Sequence, residues 1–420
     1  MRIERLGDLG AAPSVLRALA TATAGLGLSP PAALIGDWFG SRAVIAPSVT
    51  VAPVAPNAVF DVAPGDRDDG PVGGGWFGYL SYPDPGSDGR GPRIPEAAGG
   101  WSDAVLRCDR DGVWWHESLS DADLSDWVAE AVQSRPGWRD AVVTWGTADR
   151  RTHQRGVLDC LDAIAAGEVY QACVCTQFAG VLDGDPVDFF AEAAARTVPS
   201  RAAYLAGDWG AVASLSPELF LRRCGEAVTS SPIKGTLPRD ADPAGLRTSV
   251  KDVAENIMIV DLVRNDLGRV AHTGSVTVPE LLAIRPAPGV WHLVSTVSAR
   301  VSTELPMATL LDATFPPASV TGTPKARARE LLVEWEPQRR GIYCGTIGLA
   351  SPAAGCELNV AIRTVEFDAK GSAVLGVGGG ITADSDPARE WDECLHKAAP
   401  IIGRGGGSFR RASPPVASAR

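Results

Sequence analysis

A single lysine, Lys234, lies in the short segment SSPIKGTLPR, between an apolar residue and a glycine. A lysine attacks an electrophilic carbon only as the neutral amine, and an apolar environment favours that form. Pro232 restricts the backbone, and Gly235 lets the chain approach another molecule closely. The segment therefore leaves three interpretations: a nucleophile, a cation that pairs with an anionic substrate, or a solvated loop charge.

Acidic residues occur in two further segments. In DPAREWDECLHKA, Glu390 and Glu393 are three residues apart, and Lys397 follows four residues later. On a helix these side chains share one face, where two carboxylates can hold Mg²⁺ with water retained. Glu255, within KDVAENIMIVDLVRNDLGR, is the best third ligand, because a polar group in an apolar frame is costly unless it is paired or bound to metal. The alternative for the first segment is a solvated helix face with a Glu-to-Lys pair.

Glu218 is the candidate general acid. It follows a proline in SLSPELFL and is otherwise surrounded by apolar residues. Burial raises the pKa of a carboxyl and allows it to donate a proton near neutral pH. A turn glutamate that faces water is the alternative.

Several groups are suited to binding an anion. Arg363, in VAIRT, is predicted on an otherwise apolar strand, where a guanidinium can contact a carboxylate through two hydrogen bonds. Thr323 lies in SVTGTPK at a predicted helix start, and VGGGIT offers backbone amides at Gly379 and Gly380. A structural salt bridge is the alternative for Arg363, and an ordinary N-cap is the alternative for Thr323.

The elements that must position these residues alternate between strand pairs and blocks of helix. Apolar spacing predicts helices over 151–166, 186–197, 243–268 and 324–336, and a last one from about 386. Strands are predicted in AVASLSPELFL, EAVTSSPIKGT, SVTVPELLAI, VWHLVSTVSARV, GIYCGTIGLA, CELNVAIRTVEF and SAVLGVGGGIT. Antiparallel pairs with inserted helices favour an α+β fold.

Composition excludes several classes of function. The 420 residues carry a net charge of −11, which disfavours a nucleic-acid partner. The first residues, MRIERLGDLG, have no apolar core of a signal peptide, and no segment has the length of a membrane span. Eight cysteines without a CxxC motif predict reduced thiols and a cytoplasmic location.

Taken together, these segments resemble the chorismate-utilising enzyme family. The matching strings occur in family order: GGGWFGYLSY, GEVYQACVCTQF, SLSPELFL, SSPIKGT, AENIMIVDLVRNDLGRV, HLVSTV, FPPASVTGTPKARA, YCGTIG, NVAIRT and GGGITADSDPAREWDECLHKA. The resemblance implies a large α+β fold with stacked antiparallel sheets, flanked by helices, around a central cleft. It predicts a divergent sheet-forming part over 1–150, packed with the rest, and a chorismate-binding catalytic part over 151–403. A disordered tail is predicted over 404–420.

The resemblance also implies roles for individual residues. Mg²⁺ would bind Glu255 and Glu390, with Glu393 in support, and would hold the ring carboxylate of chorismate, with Lys397 near that end. Glu218 would help the C4 hydroxyl to leave. The remaining implied contacts are Arg363, Tyr343, Gly379 and Gly380 for the pyruvyl carboxylate, and Thr236 and His292 along the ring. In this chain GGGI replaces the commoner GAGI of the family.

Two positions separate the branches of this family. Members that add water to chorismate have a lysine base where this chain has Gln171, which favours ammonia as the nucleophile and disfavours isochorismate or salicylate synthesis. Anthranilate synthases have an alanine where this chain has Lys234. The lysine resembles component I of the aminodeoxychorismate synthases, in which the amine attacks ring C2 and nitrogen ends at C4. Component I of anthranilate synthase and a non-catalytic chorismate-binding regulator remain the alternatives.

An ammonia source must lie elsewhere. No cysteine has a glycine on each side, and none of the five histidines lies in a recognisable glutaminase segment. The sequence therefore predicts a separate glutamine amidotransferase subunit as partner, besides chorismate itself.

Overall fold

The chain forms two large antiparallel sheets that are covered by helices. The structure is a computed structural model, and it describes residues 1–63, 65–66, 70–83, 89–134, 137 and 139–403. The predicted tail over 404–420 lies outside the described residues. The mixed α+β class expected from the sequence is confirmed.

The helices of the described residues are α1 (Ala12–Leu26), α2 (Asp126–Gln133), α3 (Arg150–Ala165), α4 (Pro186–Thr197), α5 (Gly245–Thr248), α6 (Val250–Gly268), α7 (Met307–Thr314), α8 (Lys325–Trp335) and α9 (Pro387–Ile402). The strands are β1 (Arg2–Gly7), β2 (Ala32–Trp38), β3 (Ser41–Ala46), β4 (Ala52–Pro53), β5 (Gly75–Leu80), β6 (Ala97–Ser102), β7 (Ala104–Cys108), β8 (Trp114–Ser118), β9 (Val142–Trp145), β10 (Gln171–Asp183), β11 (Arg201–Gly207), β12 (Gly210–Ser216), β13 (Leu219–Cys224), β14 (Ala227–Ser231), β15 (Ile233–Pro238), β16 (Thr277–Ala287), β17 (Val290–Arg300), β18 (Gly322–Thr323), β19 (Thr346–Ser351), β20 (Gly355–Val360), β21 (Thr364–Asp368) and β22 (Ser372–Ile381).

Both sheets combine strands from distant parts of the chain. The first has the order β1-β8-β7-β3-β2-β11-β12-β21-β22-β10-β18, with β9 added on β10. The second has the order β15-β17-β14-β13-β20-β19-β5-β6-β4, with β16 added on β17. Strands before residue 150 therefore lie in both sheets, and the division at that residue stays a prediction.

The core consists of layers, because each sheet is buried on both faces. Along β2, Ala33 packs into the cluster under α1 and α4, whereas Ala32 and Leu34 pack into a cluster shared with the second sheet. This alternation follows from the two-residue period of a strand. Ile259 of α6 packs on the outer face of the second sheet. The order of layers is helices, sheet, sheet and helices.

Two predicted strands are each divided at a proline. AVASLSPELFL was expected to be one strand, but Pro217 separates β12 in the first sheet from β13 in the second. Pro232 likewise separates β14 from β15. Proline has no N–H to donate to a strand ladder, so each interruption falls at a residue that cannot continue it. The chain crosses between sheets at the first of these points.

The predicted strand CELNVAIRTVEF is also divided, so the expectation that Arg363 lies on a strand is wrong. Strand β20 ends at Val360 in the second sheet, and β21 begins at Thr364 in the first. Arg363 lies in the crossing with a φ of 52°, which is a conformation that ordinary side chains adopt rarely. The arginine therefore lies where the two sheets meet.

Helix positions were predicted more accurately than their ends. The stretch 243–268 is two helices, because Ser249 has extended backbone and caps α6 by accepting a hydrogen bond from Asp252 N. Pro324 precedes α8 as its N-cap and is not its first residue. Helix α1 was not predicted.

Candidate active site

The predicted site residues gather around the glycine segment of β22. Gly378, Gly379 and Gly380 pair with Cys175, Val174 and Cys173 of β10. A Cβ placed on Gly380 would lie 3.2 Å from Lys234 Nζ, 3.3 Å from Glu255 Oε2 and 3.5 Å from Gln171 Oε1. The absence of a side chain at Gly380 therefore leaves room in which three predicted site residues, from three different elements, approach one point.

Glu390 and Glu393 lie close to Gly379 of β22. A Cβ at this position would lie 3.1 Å from Glu390 Oε2 and 3.6 Å from Glu393 Oε1. Both glutamates belong to α9, whose first turn is capped by Asp386 through hydrogen bonds to Ala388 N and Arg389 N. The cap fixes where the helix begins, and thereby places Glu390 over the strand.

Glu218 lies at the crossing between β12 and β13 and is almost fully buried. Its Oε1 accepts a 3.4 Å hydrogen bond from Ile233 N, and its side chain is also bonded by the Ser319 hydroxyl. Burial raises the pKa of Glu218 to about 7, although Ser319 and the Lys234 ammonium oppose that rise. The prediction of a buried carboxyl that can donate a proton near neutral pH matches this environment.

His292 and Thr236 form a polar pair beside Lys234. They are opposite each other on β17 and β15, and Thr236 Oγ1 lies 2.8 Å from His292 Nδ1. Burial, with a smaller contribution from Arg363, lowers the pKa of His292 to about 4, so the ring is neutral at pH 7. Within the described residues, His292 Nε2 is buried and has no hydrogen-bond partner. That nitrogen is available to a ligand.

Arg363 and Tyr343 occupy the region between the sheets. Burial lowers the pKa of Arg363, and the nearby Glu218 opposes this effect. The side chain of Tyr343 lies against Gly376 of β22, where any Cβ would collide with its ring, and burial raises the pKa of its phenol. The structure thus offers a half-buried guanidinium and a buried phenol, which are groups that can bind a carboxylate.

Two predicted metal ligands each have one oxygen without a hydrogen bond from the described residues. Glu255 Oε1 and Glu390 Oε2 are buried and accept no hydrogen bond from the described residues. The Lys251 ammonium lies 2.9 Å from Glu390 Oε1 and 3.8 Å from Glu255 Oε1, and Ser385 Oγ donates to Glu390 Oε1 at 2.7 Å. Burial also raises the pKa of Glu255, against the effect of Lys234 and Lys251. Two unsatisfied carboxylate oxygens at one place fit a divalent cation.

The third predicted ligand has a different partner. Glu393 Oε1 lies 2.7 Å from Lys397 Nζ, and this ammonium also donates to Gly378 O at 2.7 Å. In the part of the chain that the structure describes, no three acidic, histidine or cysteine side chains are close enough to hold a metal by themselves. A cation here would therefore bind through Glu255 and Glu390, with substrate and water oxygens completing its shell.

Gln171 and Thr323 close one side of the site. They are paired in register on β10 and β18. Gln171 Oε1 and Thr323 Oγ1 are both buried, and neither is hydrogen-bonded to another described residue. Thr323 precedes the capping proline of α8 and is not itself the cap. Both groups are therefore free to bind a polar ligand.

Some residues of the site were not recognised in the sequence. Lys251 lies one helical turn before Glu255, and that i,i+4 spacing was the available signal. Ser385 and Ser319 had no such signal, because each meets its glutamate through the tertiary fold. The buried pair of Lys325 and Asp266 joins elements that are far apart in the chain, so spacing could not indicate it.

The chain is similar to several known proteins. The family described as chorismate binding enzyme matches residues 63–403. A relative from Klebsiella aerogenes, named aminodeoxychorismate synthase component 1, is 44% identical over 244 residues, which are 56% of this chain and 54% of the relative. A relative from Streptomyces griseus, named aminodeoxychorismate synthase, is 38% identical over 364 residues, which are 78% of this chain and 49% of the relative.

The chain spans about half the length of these curated relatives. Among solved structures, anthranilate synthase component I from Streptococcus pneumoniae superposes with a TM-score of 0.71 at 24% identity, over 90% of this chain and 91% of the other. That likeness shows a shared fold. Since the family match covers most of the residues and includes every site residue described above, the chain belongs to the chorismate binding enzyme family.

Proposed function

We propose that this chain is the chorismate-aminating component of an aminodeoxychorismate synthase. It converts chorismate and ammonia into 4-amino-4-deoxychorismate, the precursor of 4-aminobenzoate and of folate. The observation that carries the proposal is the position of Lys234, whose amine lies over Gly380 beside Glu255 Oε2 and within the electrostatic reach of Glu218. The names of the relatives from Klebsiella aerogenes and Streptomyces griseus support the same activity.

In the first half of the reaction, the lone pair of Lys234 forms a bond to ring C2. Both ring double bonds shift by one position, from C1–C2 to C1–C6 and from C5–C6 to C4–C5. The C4–O bond breaks as Glu218 gives its proton to the departing hydroxyl, which leaves as water. Burial maintains a protonated fraction of Glu218 at neutral pH, because it raises the pKa of that carboxyl to about 7. The covalent adduct divides one difficult substitution into two easier ones.

In the second half, ammonia forms a bond to C4 and both ring double bonds shift back. The C2–N bond breaks, so the electron pair returns to Lys234, and the proton lost by the new ammonium group restores Glu218. The net change is chorismate plus ammonia to aminodeoxychorismate plus water. Gln171 does not act as a base at neutral pH, so a neutral amine is a better nucleophile here than water.

The remaining side chains hold the substrate. Arg363 and Tyr343 would bind the pyruvyl carboxylate with the backbone of Gly379 and Gly380. Thr236 and neutral His292 would line the ring. Thr323 and Lys397 would bind polar groups at the substrate's ends.

The proposed metal is Mg²⁺ at Glu255 and Glu390. Their unsatisfied buried oxygens support this assignment. When bound, Mg²⁺ would neutralise the ring carboxylate and withdraw electron density from the ring. Lys251 would offset part of the negative charge of these two carboxylates, and Glu393 would support the site as a further acidic group.

The proposed ammonia source is a separate glutamine amidotransferase subunit in the cytoplasm. The name component 1 of the Klebsiella aerogenes relative supports a second subunit. Burial raises the pKa of Cys160 and of Cys394 to about 12, which makes these thiols poor nucleophiles. In the described residues, no helix is long and apolar enough to cross a membrane.

The test is product identification with purified protein, chorismate, Mg²⁺ and an ammonium salt, without an amidotransferase. Liquid chromatography with mass spectrometry should show 4-amino-4-deoxychorismate, and addition of a lyase should convert it into 4-aminobenzoate. Fluorescent anthranilate as the only product would contradict the proposal and favour the ortho-aminating branch. An absence of turnover, together with chorismate binding, would indicate a regulator.

A further inference from the structure

Lys325 is a partly buried lysine whose ammonium joins three segments of the chain. It lies at the first position of α8, and its side chain is 15% exposed. Its Nζ donates to Asp266 Oδ2 at 2.5 Å, to Thr314 O at 2.9 Å and to Pro316 O at 2.9 Å. All three N–H groups of the ammonium are therefore used within the protein.

The carbonyls that Lys325 binds begin the segment that leads to the candidate acid. Helix α7 ends at Thr314, and a short helical turn follows over Ala318–Val320. The middle residue of that turn, Ser319, is buried and hydrogen-bonds the side chain of Glu218. Lys325 thus holds the start of a segment of six residues, 314–319, whose last residue contacts Glu218.

The other partner of Lys325 lies on α6, the helix that carries the proposed metal ligand Glu255. Asp266 follows Glu255 by eleven residues, which is about three helical turns, so the two side chains share one face. Asp266, Thr314, Ser319 and Glu218 also line one small cavity between these elements. Glu218, the segment over 314–319 and helix α6 therefore border the same cavity.

We propose that Lys325 is a positioning residue for the reaction. By joining the segment over 314–319 to α6 through Asp266, it holds Ser319 against Glu218, so that the acid keeps one orientation while the C4 hydroxyl leaves. This role depends on the proposed function in one respect, which is that the group leaving the substrate is the C4 hydroxyl. The contact between Ser319 and Glu218 exists independently of which product forms.

The groups that face Glu218 predict the direction of the effect. The cations near it are Lys234, Lys397 and Arg363, Ile233 N donates to it from β15, and Ser319 bonds it from the segment. Asp266 is the other carboxyl that lines the shared cavity. Loss of the Ser319 hydrogen bond removes a group that lowers the pKa of Glu218, and burial then raises that pKa further.

The experiment is a double-mutant cycle on Lys325→Met and Ser319→Ala. Chorismate consumption with ammonium is followed from pH 6 to 9, so that the rate does not depend on which amino product forms. We expect kcat to fall roughly 10- to 100-fold in each single variant, with a smaller change in KM, because misorientation of a reacting group affects the chemical step. The alkaline limb should move to higher pH in both. The double variant should be little worse than either single one, since coupled residues are not additive.

Two further variants separate positioning from stability. Lys325→Met combined with Asp266→Asn removes both charges of the buried pair, so it does not leave one carboxylate alone, and it should show the same loss of kcat. Arg327→Gln on the same helix is the matched control. Arg327 pairs with Glu168 and Glu330 at the surface, and this variant should keep the wild-type rate and pH profile.

A spectroscopic measurement tests the contact without turnover. The infrared carbonyl band of protonated Glu218, assigned by its disappearance in Glu218→Gln, should shift in the same direction in Lys325→Met and Ser319→Ala. Folded Lys325→Met protein with an unshifted band and a wild-type pH limb would overturn the inference, as would additive effects in the cycle. If wild-type protein does not consume chorismate, the proposed function fails, and the infrared band alone decides the inference.

Discussion

The amine of Lys234 lies 3.2 Å from the point where a side chain on Gly380 would begin. Gly380 has no positive φ, so its importance comes from space and not from backbone conformation. We expect Gly380→Ala to displace the amine and to lower kcat roughly 10- to 100-fold, because a small misplacement of a nucleophile is costly. Steady-state kinetics with ammonium would measure this.

Gly379→Ala is the matched control for that substitution. Its Cβ would meet the end of the Glu390 side chain at 3.1 Å and would restore the GAGI sequence that is common in the family. We expect kcat to change by less than about threefold. Equal losses in the two variants would show that the glycine segment acts through general packing and not through room for Lys234.

The ammonium of Lys251 lies between the two carboxylates that are proposed to hold Mg²⁺. Lys251→Met should tighten Mg²⁺ binding about tenfold, because a competing positive charge is removed. It should also lower the thermal stability of metal-free protein, since Glu390 loses its counter-ion. Calorimetric titration of Mg²⁺ and melting with and without metal would measure both effects.

Arg264→Gln is the control on the same helix. Arg264 pairs with Asp261 at the surface, so this variant should leave the Mg²⁺ affinity unchanged. Weaker Mg²⁺ binding by Lys251→Met would indicate that the lysine supports the metal-bound state and does not compete with it.

We expect the activity and the free energy of unfolding both to decrease as the pH rises through the pKa of Glu218. Burial raises its pKa from 4.5 to about 7 in the folded protein, so the folded state binds the proton more tightly than the unfolded state. The stability from this group is complete below pH 4.5 and is lost as the pH rises through about 7. The rate of a general acid should fall over the upper part of the same window.

Glu218→Gln separates these two effects. We expect the variant to lose most of its activity and to exceed the wild type in free energy of unfolding at pH 8 by up to about 3 kcal/mol. At pH 4.5 this advantage should vanish. Denaturant unfolding at both pH values would measure it, and equal stabilities at pH 8 would refute the raised pKa.

His292 should remain a neutral imidazole throughout the working range of pH. Burial lowers its pKa to about 4, with a contribution from Arg363, and its contact with Thr236 fixes the ring. Nitrogen NMR of labelled protein should show no titration of this ring between pH 5 and 8. A midpoint near 6.5 would indicate that the ring is open to solvent.

Sequence patterns predicted which residues lie at this site better than they predicted how the chain connects the strands. Glu218 and Glu255 were identified because each is a carboxylate among apolar residues, and Glu390 was identified by its three-residue spacing from Glu393 on one helix face. All three of these carboxylates are buried. Arg363 was placed on a strand because the residues before it form an apolar run. The structure instead uses it at a crossing between sheets, which local spacing cannot indicate.

Contacts between distant segments were the part that could not be predicted. Lys325 and Asp266 are 59 residues apart, so helix spacing does not indicate their contact. Glu393 and Lys397 show the opposite case, because their i,i+4 spacing predicted a pair that the structure contains. Local pairs follow from helix geometry, whereas buried pairs between elements depend on how the sheets and helices pack.

The covalent role of Lys234 is the central claim, and intact-protein mass spectrometry tests it most directly. Protein incubated with chorismate and Mg²⁺, without ammonia, should gain the mass of chorismate less one water, on the peptide that contains Lys234. Ammonium should then release the adduct as 4-amino-4-deoxychorismate, and Lys234→Ala should form no adduct. Formation of 4-amino-4-deoxychorismate by Lys234→Ala at the wild-type rate would contradict the account.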